Sequence, residues 1–355
     1  MSVEEILNEK DLDAILVTDK YNFHYLSGFV GEGLLIIDRE NKYLVTDSRY
    51  TIAAREFAGP KGFTVCEYGA GKPLMRWIRS LTLDKDHSKI GFEDQHMVVS
   101  ELSQYQKLFP SLEWKPLGKA LELLRQVKSE EELEKLRIAE SIGDKAFAAI
   151  LSKIKVGMTE LELAAELEYA MKKNGAEGFS FDTIVASGLN SAKPHHRPCS
   201  KKLEEGDFIT MDFGCLYQGY CSDMTRTVVL GKASEEQKKV YQTVLEAQLT
   251  GLKTVKAGLL GSWVDEAARK VISEAGYGEY FGHSLGHSVG LYIHESPNLS
   301  PSEKTVLKPG MIETVEPGIY IEGFGGVRIE DMVIVTEDGC ENLAHSPKEL
   351  IEIEV

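Results

Sequence analysis

Asp212 and Asp223 carry the sharpest chemical signal in this sequence. They sit in Phe208-Ile-Thr-Met-Asp-Phe-Gly214 and Tyr220-Cys-Ser-Asp-Met-Thr-Arg-Thr-Val-Val229, two β-rich runs that flank Gln218-Gly219. A polar residue followed by glycine between two such runs predicts a hairpin. With Gln218 and Gly219 as a two-residue loop, Tyr217 faces Tyr220 and Asp212 faces Thr225. Asp223 lies two positions from Thr225, so the aspartates share one face as diagonal neighbours, with Cβ atoms roughly 7 Å apart. Two carboxylates on one face of an apolar hairpin raise each other's pKa unless something positive neutralises them. One or two metal cations would do so. The plainer alternative for Asp212 is a turn cap or an ion pair with Arg226. The inference depends on loop length, because a one-residue slip turns every side chain to the other face. The same register sets Cys215 and Cys221 on opposite faces, so no disulfide is expected between them.

Histidines form the second signal. His283, His287 and His294 fall within twelve positions, interleaved with Gly282, Gly286 and Gly290. His283 and His287 have the spacing of a zinc-binding helix. A glycine at every fourth residue argues against a helix, since each costs about 1 kcal/mol there. A loop or bulged strand is expected instead, where glycine lets backbone approach a ligand closely. Acidic residues return in Glu313-Thr-Val-Glu-Pro-Gly-Ile-Tyr320 and Gly326-Val-Arg-Ile-Glu-Asp-Met332, which read as two strands joined by a glycine-rich turn. Glu316 and Glu330 sit in apolar surroundings there, with Glu313, Glu322 and Asp331 as competitors on composition alone.

The elements that position these residues follow from pattern. Asp13–Thr18, Glu32–Asp38, Tyr43–Thr46 and Lys89–Phe92 are strand-like and Thr51–Phe57 helical, so the first ~120 residues read as an α/β domain. They hold no phosphate-loop or dinucleotide glycine fingerprint. Beyond them, Ser129/Glu132, Thr159/Glu162 and Ser234/Gln237 are capping boxes that open three helices, and a fourth begins near Ser262. Lys155-Val-Gly157 precedes Gly175 by 18 residues, as Lys256-Ala-Gly258 precedes Gly276. Each helix pair is followed by β-rich sequence. Residues 129–355 therefore read as two related α-α-β-β halves, and a site between them would draw ligands from both.

The 355 residues exceed what one core usually serves, so two domains are expected. A net charge of −16 excludes the basic surface that non-specific nucleic-acid or anionic-membrane binding needs. No run reaches the roughly 18 apolar residues of a membrane span, and Met1–Lys10 is acidic rather than signal-like. Five cysteines, Cys66, Cys199, Cys215, Cys221 and Cys340, are odd in number and lack CxxC spacing. A reduced, cytoplasmic compartment is the expectation.

Taken together, Met211-Asp-Phe-Gly214, Ser222-Asp-Met-Thr-Arg-Thr227, Gly286-His-Ser-Val-Gly-Leu-Tyr-Ile-His-Glu295, Val315-Glu-Pro-Gly318 and Val327-Arg-Ile-Glu-Asp331 resemble the motifs of the Xaa-Pro peptidases. That family comprises aminopeptidase P and prolidase and shares its pita-bread fold with methionine aminopeptidase. The resemblance spans essentially the whole chain. It implies a creatinase-like α/β N-terminal domain over 1–123 and an α+β C-terminal pita-bread domain over 124–355, the latter with two pseudo-repeated α-α-β-β halves. It implies Asp212, Asp223, His287, Glu316 and Glu330 as metal ligands, choosing the two glutamates over their neighbours. His195 matches a substrate-side histidine, with His196 an adjacent competitor. His283 and His294 match further active-site histidines, and Arg328 a substrate-contacting arginine.

The chemistry so implied is metal-dependent hydrolysis. Two divalent cations balance the four carboxylates, and oxygen ligands with one imidazole suit manganese first, then cobalt or zinc. Such a pair shares and activates a hydroxide. Glu316 would move the proton, while His294 and His195 would hydrogen-bond the developing oxyanion. His283 would line the proline side. The resemblance implies short proline-containing peptides as substrates and a homodimer as the assembly. The length, with Leu26-Ser-Gly-Phe29 and Asp47-Ser-Arg-Tyr50, leans toward an Xaa-Pro aminopeptidase; an Xaa-Pro dipeptidase is the alternative. Creatinase-type relatives lack the ligands kept here, and methionine aminopeptidase lacks so large a first domain. Non-catalytic binding modules of this fold usually show broken ligand sets.

Overall fold

The computed structural model describes residues 2–355 and divides into two units, Met1–Arg125 and Gln126–Val355. The division falls two residues later than expected. Leu124 and Arg125 are held by the first unit: the Tyr25 hydroxyl donates to the Leu124 carbonyl at 2.9 Å, and Arg125 donates to Asn22 Oδ1 at 2.7 Å.

The N-terminal unit is α/β. Its six strands run in the order Phe63–Tyr68, Lys42–Asp47, Leu34–Asp38, Ala14–Val17, Lys89–Phe92 and Glu113–Pro116. The strand Ala14–Val17 is buried throughout. Ile15 and Val17 join one hydrophobic cluster, and Ala14 and Leu16 join the other. Successive side chains point to opposite faces, so an unbroken apolar run signals a strand covered on both sides. The predicted helix spans Thr51–Ala58.

In the C-terminal unit, which is α+β, all three capping boxes form. They start the helices Glu130–Leu151, Glu160–Lys173 and Glu235–Thr254. A fourth helix, Gly261–Glu274, has no side-chain cap. The four glycines that marked the repeat share one physical role. Gly157, Gly175, Gly258 and Gly276 all have φ between 84° and 108°, where an L side chain is strained. Each half has its own core. The first helix pair packs with Ile209, Met211, Phe213 and Val228, and the second with Val315, Val327, Ile329 and Val333. Among the described residues no helix is long and apolar enough to cross a membrane.

Candidate functional site

The hairpin forms in the predicted register. Tyr217 pairs with Tyr220 and Asp212 with Thr225, across a loop in which Gln218 and Gly219 have φ of 47° and 80°. Positive φ at both central residues is what a tight hairpin turn demands. Odd-numbered residues of Phe208–Phe213 and even-numbered residues of Met224–Leu230 face the first helix pair. That leaves Asp212 and Thr225 on the opposite face. The hairpin is not one continuous ladder, however. A Cβ on Gly214 would lie 1.9 Å from the Ser222 carbonyl oxygen. Only glycine permits that approach, which breaks the pairing beside Asp223. The Asp223 N–H then donates to Glu140 Oε2 at 3.3 Å.

The two later strands are broken at equivalent points. Ile312–Val315 pairs with Asp331–Val335, and Gly318–Ile321 with Gly325–Arg328, in one common register. Glu316 and Glu330 occupy facing positions in the gap, where Pro317 cannot donate. Their own N–H groups go elsewhere, Glu316 to the Leu285 carbonyl at 2.8 Å and Glu330 to the Thr225 carbonyl at 3.1 Å. Those bonds tie both glutamates to the strands that carry the other candidate ligands.

His287 lies on the short strand Gly286–Ser288, with a bulge between His287 and Ser288, as the glycine spacing predicted. The glycine is needed for a different approach than expected. A Cβ on Gly286 would meet the Thr314 carbonyl oxygen at 1.9 Å, so the close contact is with a neighbouring strand rather than a ligand.

Asp212, Asp223, His287, Glu316 and Glu330 all line one cavity of about 560 Å³, with His195, His196, His283, His294 and Arg328. His287 Nε2 stands 3.5 Å from Asp223 Oδ2 and 3.4 Å from Glu316 Oε1. Asp223, His287 and Glu330 each present a ligand atom within 4.8 Å of the others. Burial, joined by the charges of Glu330, Asp212 and Glu316, holds the Asp223 carboxyl well above its ordinary range. Burial and the charges of Glu316 and Asp212 do the same to Glu330. Burial also pushes Glu316 up to about 8, with Arg328 opposing and Asp212 adding to the shift. His287 moves the other way, to about 4, chiefly through burial and the neighbouring His294. At neutral pH it is an uncharged imidazole, the form that binds a metal.

These residues fit a divalent metal centre. Asp212 Oδ1 and Glu330 Oε1 are buried without a hydrogen bond, although the other oxygen of each is engaged. Orphaned buried carboxylate oxygens beside a neutral imidazole, four carboxylates in all, are donors that would suit hard-to-borderline divalent ions.

The competing acids separate by position. Glu313 is fully buried but does not line the cavity, and Glu322 is exposed. Asp331 is bonded to Arg226 at 2.7 Å and to Lys348 at 2.5 Å. Arg226 is therefore not the partner of Asp212. That partner is Arg328, at 2.6 Å. Arg328 also donates to Thr225 Oγ1 at 3.0 Å and to the Tyr320 hydroxyl at 2.8 Å. His195 is an exposed residue of the cavity wall, whereas His196 turns to Glu160 at 2.8 Å. His294 is exposed on the same wall, its ring edge-on to His287 with centroids 4.7 Å apart. His283 Nε2 lies 3.0 Å from the Tyr320 hydroxyl.

Tyr320, Thr225 and Thr314 belong to the site and escaped the sequence reading. Thr314 Oγ1 donates to Glu316 Oε1 at 3.1 Å and accepts from the His287 N–H at 3.0 Å. Tyr320 was within reach of the argument used for the aspartates. Arg328 pairs with Gly318, so Tyr320 is its diagonal neighbour, and the missing side chain at Gly318 leaves room for the phenol.

Comparison with known proteins identifies the family. Residues 134–337 match metallopeptidase family M24, and residues 2–127 match the creatinase/prolidase N-terminal domain. The chain is 40% identical over 352 residues to the Xaa-Pro dipeptidase of Pyrococcus horikoshii, covering 98% of this chain and 97% of that protein. A solved structure of the Xaa-Pro dipeptidase from Bacillus anthracis superposes with a TM-score of 0.95 at 43% identity, covering 99% of both chains. The X-Pro aminopeptidase from Thermotoga maritima superposes with a TM-score of 0.92 at 39% identity, covering 99% of this chain and 100% of that one.

Proposed function

Because the chain belongs to metallopeptidase family M24, we propose that it hydrolyses Xaa-Pro dipeptides, using two divalent metals held by Asp212, Asp223, His287, Glu316 and Glu330. Its C-terminal unit is the pita-bread domain of that family and its N-terminal unit the creatinase-like domain. The observation that carries the metal reading is the convergence of four carboxylates and one neutral imidazole, with Asp212 Oδ1 and Glu330 Oε1 left unmatched. Manganese is the first choice for such donors, with cobalt or zinc next.

Bound divalent ions supply a water acidic enough to attack at neutral pH and positive charge to polarise the scissile carbonyl. The chain supplies the rest. Glu316, braced by the Thr314 hydroxyl, takes the proton of the attacking water and passes it to the leaving proline nitrogen. His294 and His195, on the cavity wall, donate to the oxygen that gains charge. Arg328 holds Asp212 and the Tyr320 hydroxyl, and His283 approaches the same hydroxyl, so these groups form a braced wall for the proline side.

The preference for dipeptides over longer peptides is supported by the relatives, named dipeptidases more often than aminopeptidases. The features that leaned toward an aminopeptidase, Leu26-Ser-Gly-Phe29 and Asp47-Ser-Arg-Tyr50, belong to the N-terminal unit. The aminopeptidase reading keeps one specific support, the Thermotoga maritima structure. The deciding experiment removes metal, restores it, and assays Xaa-Pro and Xaa-Pro-Xaa substrates side by side. Hydrolysis of the dipeptide alone is expected. Faster hydrolysis of the tripeptide would replace the dipeptidase reading with the aminopeptidase one. We further propose a homodimer, which a monomer mass by light scattering at micromolar concentration would refute.

A further inference from the structure

Glu160, His196 and Cys199 bring three metal-ligand types together outside the five-residue set. Glu160 is the first residue of the helix Glu160–Lys173, yet its side chain is fully buried. Its two oxygens do different work. Oε1 accepts from Ser187 N and Oγ at 2.8 Å each and from Asn190 Nδ2 at 3.1 Å, which fixes the plane of the carboxylate. Oε2 faces His196 Nε2 at 2.8 Å, Cys199 N at 3.2 Å and Cys199 Sγ at 3.1 Å. Burial raises this carboxyl, but the bonds from His196, Asn190, Cys199 and Ser187 outweigh it and bring the group to about 2. It is an ionised, pre-oriented oxygen ligand with an imidazole and a thiol converging on it.

We propose that Glu160, His196 and Cys199 form a separate, thiolate-containing metal site for a zinc-like cation. In a tetrahedral zinc site, bonds of roughly 2.0 Å to oxygen and nitrogen and roughly 2.3 Å to sulfur space the ligand atoms about 3.3–3.6 Å apart. The present spacings of 2.8 and 3.1 Å reach that with an opening of about half an ångström. On binding, the Cys199 thiol releases its proton to solvent. His196 coordinates through Nε2 and keeps its proton on Nδ1. His196 and Pro198 also line the cavity, so a water has a route to the fourth position. The sulfur sets the preference. The five-residue centre is all oxygen and nitrogen and accepts manganese, whereas a Glu–His–Cys set favours zinc, cobalt or cadmium and rejects magnesium and calcium. Because His195 and His196 are adjacent, an ion here would tie the cavity wall to the start of a helix.

The test uses the full-length, metal-depleted chain titrated with cobalt(II). A thiolate-to-cobalt charge-transfer band in the near ultraviolet reports sulfur ligation, which the five-residue centre cannot give. The band is expected to reach the intensity of one thiolate-bound cobalt per chain once all sites are filled, to vanish in Cys199→Ser and to weaken in His196→Asn. Cys199→Ser should also bind zinc about tenfold or more weakly at this site while keeping the parent's thermal midpoint. In the parent, zinc should protect Cys199 from alkylation, read by mass spectrometry. Absence of the band, its survival in Cys199→Ser, or unprotected alkylation of Cys199 would each overturn the proposal.

Discussion

At the scale of single residues, the face a side chain takes, rather than its type or its burial, decides which acids can serve chemistry. Glu313 and Glu316 are three positions apart, so strand alternation turns them to opposite faces, and Thr314 shares the face of Glu316 to which it donates. The sequence holds that alternation but not the anchor that says which face matters. The choice among five acids therefore needed either a resemblance or the fold. Asp223→Asn keeps the shape of the side chain and removes its charge. It should bind less metal, measured by elemental analysis after gel filtration, and lose on the order of 10²-fold or more in rate; parent-like metal content and turnover would sink the two-metal reading. Glu316→Gln should lower kcat by about 10²–10⁴-fold if the carboxylate moves the proton. Arg328→Lys tests positioning. Three nitrogens of the guanidinium hold Thr225, Tyr320 and Asp212, and one ammonium cannot span all three. A stability loss of about 3 kcal/mol is expected from denaturant unfolding, because the buried fork is broken; an unchanged midpoint would show that the fork is dispensable.

At the scale of elements, what is local in origin was legible. Three capping boxes opened their helices where predicted, and the Gln218-Gly219 loop set a register that put Asp212 opposite Thr225. The breaks in the strands were not legible, because they depend on chain segments distant in sequence. Gly214 is shaped by the approach of Ser222, and Gly286 by that of Thr314. Those breaks place the chemistry, since Asp223, Glu316 and Glu330 all sit where a ladder is interrupted. The paired glycines of the histidine segment give a clean test. Gly286→Ala drives a methyl into the Thr314 carbonyl oxygen, whereas a Cβ on Gly282 meets nothing within 4 Å. Gly286→Ala should cost about 2–4 kcal/mol and weaken metal binding by displacing His287. Gly282→Ala should be near neutral. Equal effects of the two would mean that the strand carrying His287 is free to shift.

At the scale of the whole molecule, two helix-backed halves meet a set of buried carboxyls that are costly without a cation. In the metal-free protein Asp223 and Glu330 are held well above their ordinary range, and Glu316 is raised from 4.5 to about 8. A carboxyl whose folded pKa exceeds its unfolded value gives its full stabilisation below the unfolded pKa. That contribution drains away as pH rises through the folded pKa. The metal-depleted chain should therefore lose stability between about pH 5 and pH 8, the window set by the Glu316 shift. Bound divalent cations favour the charged carboxylates, so the loaded protein should escape that loss. The gap in thermal midpoint between loaded and depleted protein should widen as pH climbs through this range. Glu160 supplies an internal contrast of opposite sign. Its folded pKa, about 2, lies below the ordinary value of 4.5, so its contribution is present above 4.5 and lost as pH falls toward 2. In the metal-depleted chain, Glu160→Gln should flatten that acid limb. If the gap instead stayed constant from about pH 5 to pH 8, the raised carboxyls would not be facing the metal, and the five-residue centre would have to be redrawn.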